Sequence, residues 1–223
     1  MKLAKKDFIS VEFTGRIKDG EVFDSNIKGD LAKLDPKVTP KPFIFCLGEG
    51  MFLKGIEDFL IGKDIGEYTI ELSPEKAFGP RDPKQIQMIP MKIFVQHKIN
   101  PVPGVMFNFD GRMAKILTVS GGRVMTDFNN PLAGKNVSYK IKVLKKVEDL
   151  NEKVKSFIEF LFRQDLQFEI KEKKLIIEVN KQMSKFVELF KEKFKDIFDL
   201  DLEVKEIEDK KSKGKKEIKQ EVK

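Results

Sequence analysis

Apolar residues in the first half of the chain come in short runs with a period of two, cut by turn residues. Phe8-Ile9-Ser10-Val11-Glu12-Phe13 alternates. The runs 11–17 and 22–24 flank Lys18-Asp19-Gly20-Glu21, where Asp-Gly predicts a tight hairpin. Further strands are expected at 43–47 and 67–72, with a short helix over about 55–60 that Gly62 would end. The run Val137-Ser138-Tyr139-Lys140-Ile141-Lys142-Val143 alternates strictly and reads as a half-buried strand. These pieces predict an antiparallel sheet with one short helix laid across it.

From Asp149 the spacing becomes helical. Asp149 and Glu152 are placed as a capping box, and Val154, Phe157, Ile158 and Leu161 form an apolar stripe. Phe160 and Phe162 fall off that stripe and are expected to leave aromatic surface exposed. Strands at 166–170 and 175–179 follow. One helix over 181–198 then places Met183, Phe186, Val187, Phe190, Phe194 and Ile197 on one face, and a last strand at 199–207 completes an α-β-β-α-β unit. All ten prolines precede residue 132 and fourteen of the fifteen glycines precede residue 135, so the C-terminal third is built differently. From Lys210 lysine and glutamate alternate with little that is apolar, and the tail 210–223 is expected to be disordered.

At 223 residues, 40% apolar and 35% charged with a net charge of +7, the chain has a globular composition and room for two or three small domains. One segment departs from that average. Between Gln85 and Thr126 only six of 42 residues are charged, yet five of the eight methionines lie there. It carries strand-like runs at 105–109, 113–119 and 123–127, with turns at Gly111 and Gly121-Gly122, and reads as a small inserted domain. A single cysteine, Cys46, excludes an internal disulfide and suits a reducing compartment, so the cytoplasm is expected. His97 is the sole histidine, which excludes multi-histidine metal sites and serine–histidine or cysteine–histidine catalysis. Neither a metal nor a cofactor is expected, and no stretch reaches the length of a membrane span.

Four strings in order, Phe13-Thr14-Gly15, Asp19-Gly20-Glu21-Val22-Phe23-Asp24-Ser25, Pro42-Phe43-Ile44-Phe45-Cys46-Leu47-Gly48 and Ala77-Phe78-Gly79-Pro80, resemble FKBP-type peptidyl-prolyl isomerases. Leu53-Lys54-Gly55-Ile56-Glu57 fits the same pattern. Asp127-Phe128-Asn129-Asn130-Pro131-Leu132-Ala133-Gly134-Lys135 is similar to the long, SlyD-like branch. The resemblance covers residues 1 to about 149. It implies an α+β fold: an FKBP-type antiparallel sheet with a short helix (1–84 and 128–149), a mostly-β insert-in-flap chaperone domain (85–127) and, outside the resemblance, a C-terminal α-β-β-α-β domain (150–209).

Isomerisation about an Xaa-Pro bond needs no nucleophile, because the barrier of about 18–20 kcal/mol is amide resonance. The resemblance implies a catalytic set of Phe23, Asp24, Leu53, Phe78 and Tyr139, with the Leu53 backbone N–H donating to a substrate carbonyl. It implies substrate-binding positions at Phe13, Phe43, Phe52, Ile56 and Val137. Relatives commonly have tyrosine at the positions of Phe13 and Phe78 and tryptophan at that of Ile56, so Asp24 lacks a hydroxyl partner here. In the insert, Met88, Met91, Ile93, Phe94, Met106, Phe107, Met113 and Met125 would form a pliable surface for unfolded chains.

The expected partners are unfolded polypeptides containing Xaa-Pro bonds. A homodimer through the C-terminal domain stays open, and no nucleic acid or membrane partner is expected. The rival reading is a holdase chaperone whose isomerase pocket is weak or inactive.

Overall fold

The computed structural model describes residues 2–109 and 111–207. Along the chain run β1 (Phe8–Ile17), β2 (Val22–Ser25), α1 (Lys28–Leu34), β3 (Phe43–Cys46), α2 (Lys54–Leu60) and β4 (Glu67–Leu72). Next come β5 (Ile86–Pro90), α3 (Met91–Gln96), β6 (Met106–Phe109), β7 (Arg112–Ser120), β8 (Arg123–Asp127) and β9 (Val137–Lys146). The last group is α4 (Leu150–Phe162), β10 (Phe168–Lys171), β11 (Lys174–Val179), α5 (Lys181–Glu188), α6 (Lys191–Phe198) and β12 (Asp201–Glu206). The tail expected from residue 210 lies outside the described residues.

The result is a mixed α+β fold with three sheets among the described residues. In the first sheet β1 is central, with β9 along one side and β4 beyond it. On its other side β2 pairs with 14–16 and β3 with 8–11, so the two short strands lie end to end. The hairpin between β1 and β2 turns at Asp19, which takes a positive φ of 57°. Helix α2 lies over the sheet with Ile56, Glu57 and Leu60 buried, and Gly62 at φ 82° follows its end. Helix α1 was not expected. It buries no residue and contains Gly29, so it lacks the apolar stripe by which a helix is read from sequence.

Strand β1 starts three residues earlier than its turn-bounded run because Phe8, Ile9, Ser10 and Val11 are all buried. Two layers cover it. Phe45, Ile141 and Val143 belong to the core with Ile9 and Val11. Phe8 instead meets Phe198 and Phe157 of the C-terminal helices, at ring-centroid distances of 5.4 and 6.5 Å. One buried cluster therefore runs from Phe13 and Ile56 through β1 to Phe157, Leu175 and Phe194. Ion pairs Lys6–Asp196 and Lys193–Glu49, both at 2.7 Å, tie the same two parts together.

In the C-terminal sheet β10 and β11 are antiparallel, while β12 returns parallel to β11 after the helical crossover. Asp149 caps α4 by accepting the Glu152 N–H at 2.7 Å, whereas the Glu152 carboxylate pairs with Lys145. Two expectations are corrected here. The helix over 181–198 is broken at Leu189 and Phe190, so the unit reads α-β-β-α-α-β. The break lets Phe186 and Phe190 pack on Phe162 while Phe194 and Phe198 pack on Phe157, and neither glycine nor proline marks it. Phe162 is accordingly buried, Phe160 stays partly exposed, and Phe186 and Leu189 are the most exposed apolar side chains of the unit, at 48% and 77%.

The insert folds as a sheet in the order β5-β8-β7-β6 with α3 against it. Its core of Ile89, Phe94, Ile116 and Val124 is separate from the main cluster. Strand β5 is an edge strand, which is where the terminal Pro90 can sit without breaking a ladder. At the neck, Asp82 N–H donates to Asn129 Oδ1 at 2.9 Å and Asn129 Nδ2 donates to the Asp82 carbonyl at 3.0 Å. Arg81 pairs with the buried Asp127, whose other oxygen accepts from Asn129. No helix among the described residues is long and apolar enough to cross a membrane.

Candidate active site

Six of the expected site residues form one connected set of rings. Phe78 meets Phe23 at 5.6 Å and Phe23 meets Tyr139 at 5.7 Å, both edge to face. Tyr139 meets Phe52 at 5.5 Å, Phe52 meets Phe13 at 5.0 Å, and Phe43 closes the set at 5.5 Å from Phe52. Strand pairing explains the assembly. Gly15 lies opposite both Asp24 and Tyr139, so Tyr139 is brought to within one strand of Asp24, 115 positions earlier in the chain. A Cβ on Gly15 would stand 2.8 Å from Tyr139 Cε1 and 3.1 Å from Phe23 Cζ. Only glycine lets the two rings reach this position.

Asp24 is the carboxylate beside these rings. Burial pushes its pKa up, against one lowering bond from the Ser25 backbone N–H, and among the described residues no hydroxyl bonds to it. Burial also pushes the Tyr139 phenol up, with the Asp24 charge adding to the effect. Leu53 is the N-cap residue of α2, and its backbone N–H makes no hydrogen bond among the described residues. Phe23, Leu53 and Phe78 are partly exposed, whereas Tyr139 is 1% exposed. The two remaining expected contacts are buried as deeply as Tyr139, Val137 between Ile17 and Leu72 in the sheet and Ile56 on the inner side of α2.

Two supporting residues were not read from the sequence. Glu57, 2% exposed, accepts backbone N–H bonds from Gly48, Gly50 and Phe52 at 2.8, 3.1 and 2.7 Å. It holds the loop that carries Phe52 and Leu53, and its only sequence signal is its place one turn into α2. Asn26 fills the gap between β2 and β3, where β1 has no neighbouring strand. Its Oδ1 accepts from Phe13 N–H at 2.7 Å, and its Nδ2 donates to the carbonyls of Val11 and Lys41 at 2.9 and 3.1 Å.

A cleft of about 650 Å³ opens beside the ring set. Phe13, Asp24, Phe43 and Phe52 line it, but Phe23, Leu53, Phe78 and Tyr139 do not. Its far wall is α4 of the C-terminal unit.

The proposed chaperone residues divide between the two faces of the insert. Phe94 is fully buried and is corrected from the surface set to the core, where it packs on Phe107 and Phe109. Phe107, Met91 and Ile93 are partly buried against that core. Met88 pairs with Met125, Met113 with Asn108 and Met106 with Lys115, each out of phase with the inward Ile89, Ala114 and Val124. Met88, Met106 and Met113 are exposed, by 56%, 39% and 52%. The methionines at 88, 106, 113 and 125 therefore share the outer face of the sheet. His97 is exposed and lies 5.1 Å from the Phe109 ring, and Cys46 is buried in β3 with its thiol pushed up to about 12.

Comparison with known proteins places these features in a family. Residues 1–99 match the family described as FKBP-type peptidyl-prolyl cis-trans isomerase, and residues 87–132 match the family described as FKBP26, IF domain. A short-type peptidyl-prolyl cis-trans isomerase of Methanocaldococcus jannaschii is 35% identical over 146 residues, covering 63% of this chain and 92% of that protein. An FKBP-type 16 kDa peptidyl-prolyl cis-trans isomerase of Escherichia coli K12 is 30% identical, covering 61% and 88%. The FKBP-type isomerase SlyD of Aeromonas hydrophila is 27% identical over 64% of each chain.

Proposed function

The chain belongs to the FKBP-type peptidyl-prolyl cis-trans isomerases, and from that premise we propose that Phe13, Phe23, Asp24, Phe52, Leu53, Phe78 and Tyr139 form its catalytic pocket and that the insert captures unfolded polypeptide for it. The observation that carries the pocket is the connected ring set with one desolvated carboxylate at its edge. A planar prolyl amide is charge-separated and is stabilised by water. Ring surfaces that strip this water raise the planar form relative to the twisted one, in which the C–N bond has lost its double-bond character. The free Leu53 N–H supplies a hydrogen bond that fixes the substrate chain while its neighbouring bond rotates. Asp24 contributes a negative charge next to the rotating amide and does not transfer a proton.

Capture by the insert is supported by the methionines on the outer face of its sheet. Unbranched, polarisable side chains fit many apolar sequences, and holding a client raises its concentration at the pocket. The partners are therefore unfolded or partly folded chains containing Xaa-Pro bonds.

Exchange NMR on a short Phe-Pro peptide tests the pocket. The intact protein should accelerate cis–trans exchange, and the Phe23→Ala, Asp24→Ala, Tyr139→Ala triple variant, with its fold verified by circular dichroism, should not. Equal acceleration by both proteins would remove these residues from the mechanism. Suppressed client aggregation without any acceleration would instead favour a holdase with an inactive pocket.

A further inference from the structure

The cleft beside the ring set has no counterpart in the sequence strings that point to the pocket, because one of its walls is the C-terminal unit. Phe13, Asp24 and Phe52 form the end shared with the pocket. Segment 31–43 forms one side and α4 the other, and Lys41–Glu159 at 3.0 Å bridges the two. On the α4 wall most charges are matched. Glu159 pairs with Lys41, Glu152 with Lys145 and Lys155 with Asp165. Arg163 is the exception: among the described residues it has no ion pair, and its guanidinium lies 5.2 Å from the Phe160 ring centre. The wall thus presents one aromatic face and one uncompensated cation.

We propose that this cleft binds the stretch of substrate polypeptide that flanks the Xaa-Pro bond, with an acidic side chain of that stretch directed to Arg163, so that the C-terminal unit sets substrate preference for the isomerase. The proposal rests on the pocket reading above. Continuity decides the occupant. A chain whose proline sits in the pocket must leave it, and the cleft begins at Phe13, Asp24 and Phe52 of that same pocket. The dimensions agree: from Glu152 to Arg163 a helix rises about 16 Å, the span of about five extended residues. An acidic residue meets Arg163 unopposed, whereas a lysine there meets like charge.

The test uses two peptides with the same central Phe-Pro and about five flanking residues on each side, one carrying glutamates and the other lysines in the flanks. For each protein the readout is the ratio of kcat/KM for the two peptides, together with the Kd of each from fluorescence titration, so that a general loss of activity cancels. The intact protein should favour the acidic peptide about fivefold, which corresponds to about 1 kcal/mol. Arg163→Glu should abolish or invert the ratio. Phe160→Ala should weaken both extended peptides while leaving the ratio in place.

Equal efficiencies and equal Kd values for the two peptides would overturn the proposal while leaving the pocket standing, as would a preference that survives Arg163→Glu. If neither peptide were isomerised, the pocket reading would fall, but acid-selective binding lost in Arg163→Glu would still support the cleft. Binding of neither peptide would overturn it.

Discussion

Phe52 donates its backbone N–H to the carboxylate of Glu57, five residues later, at 2.7 Å. The second carboxylate oxygen takes the N–H groups of Gly48 and Gly50, so one buried side chain satisfies three donors of the loop before α2. The loop ends at Leu53. Glu57→Ala should therefore destabilise the protein by about 3 kcal/mol, from orphaned buried N–H groups. It should also lower kcat/KM on a short peptide at least tenfold by loosening Phe52 and the Leu53 N–H. Urea unfolding and peptide kinetics measure the two effects. Full activity in a destabilised variant would remove the loop from the catalytic argument.

Gly15→Ala tests the ring set from below. The added methyl group would stand 2.8 Å from Tyr139 and 3.1 Å from Phe23, so both rings must shift. The stability cost should be about 1–3 kcal/mol, typical of overpacking. Activity should fall well beyond what that loss explains at 25 °C, where most molecules stay folded. Kinetics and thermal melts on the same sample separate the two quantities.

Asp24 gives a pH dependence. Its carboxyl is held above the ordinary value in the folded protein, so the folded state binds this proton more tightly than the unfolded state does. The corresponding stability is complete below the ordinary carboxylate range and is lost as pH rises through the raised pKa. Asp24→Asn should consequently raise Tm at pH 7, and the gain should shrink as pH falls below about 4. A gain of the same size at pH 3 and pH 7 would show that burial of the charge is not the cause.

Client capture is separable from chemistry. Replacing Met88, Met106 and Met113 by serine should reduce catalysis of a proline-limited refolding reaction about tenfold more than catalysis on a tetrapeptide. Equal losses on both substrates would assign those methionines a structural role.

Phe157 joins the C-terminal unit to Phe8 of the first sheet, at 6.5 Å, and to Phe194, at 5.4 Å. Phe157→Ala should cost about 3–5 kcal/mol. Hydrogen exchange should show lost protection in β1 as well as in α4, while the separate core of the insert keeps its own. Protection lost in α4 alone would mean that the two parts do not share stability.

The elements that carry the site were legible from local rules, whereas the roles of its residues came from the family resemblance. Asp19-Gly20 makes a hairpin wherever alternating strands flank it, and Phe23 and Asp24 then follow on the returning strand. The low charge and high methionine content of the insert were equally plain, since composition needs no knowledge of contacts. Periodicity placed Val154, Phe157 and Ile158 on the buried stripe of α4.

Other features have no local signature. Helix α1 buries nothing, so no stripe announces it. Asn26 and Glu57 look like ordinary polar residues, and only the gap beside β1 and the loop before α2 give them backbone groups to satisfy. Phe94 and Met88 both appeared as apolar residues of the insert, yet one is its core and the other its surface.

Local pattern was enough for most of the strands, the hairpin and the inserted segment, because these depend on side-chain periodicity and on residues within a few positions of one another, but it missed β5 and α3 of the insert. Tertiary structure alone decided the rest. It split the helix at Leu189 and Phe190 so that two sets of rings could each find a partner, buried Val137 and Ile56, and laid α4 beside Phe43 to make the cleft. Each of these outcomes rests on packing between residues far apart in the chain, where burial depends on the shape of the partner surface and not on the residue's own polarity.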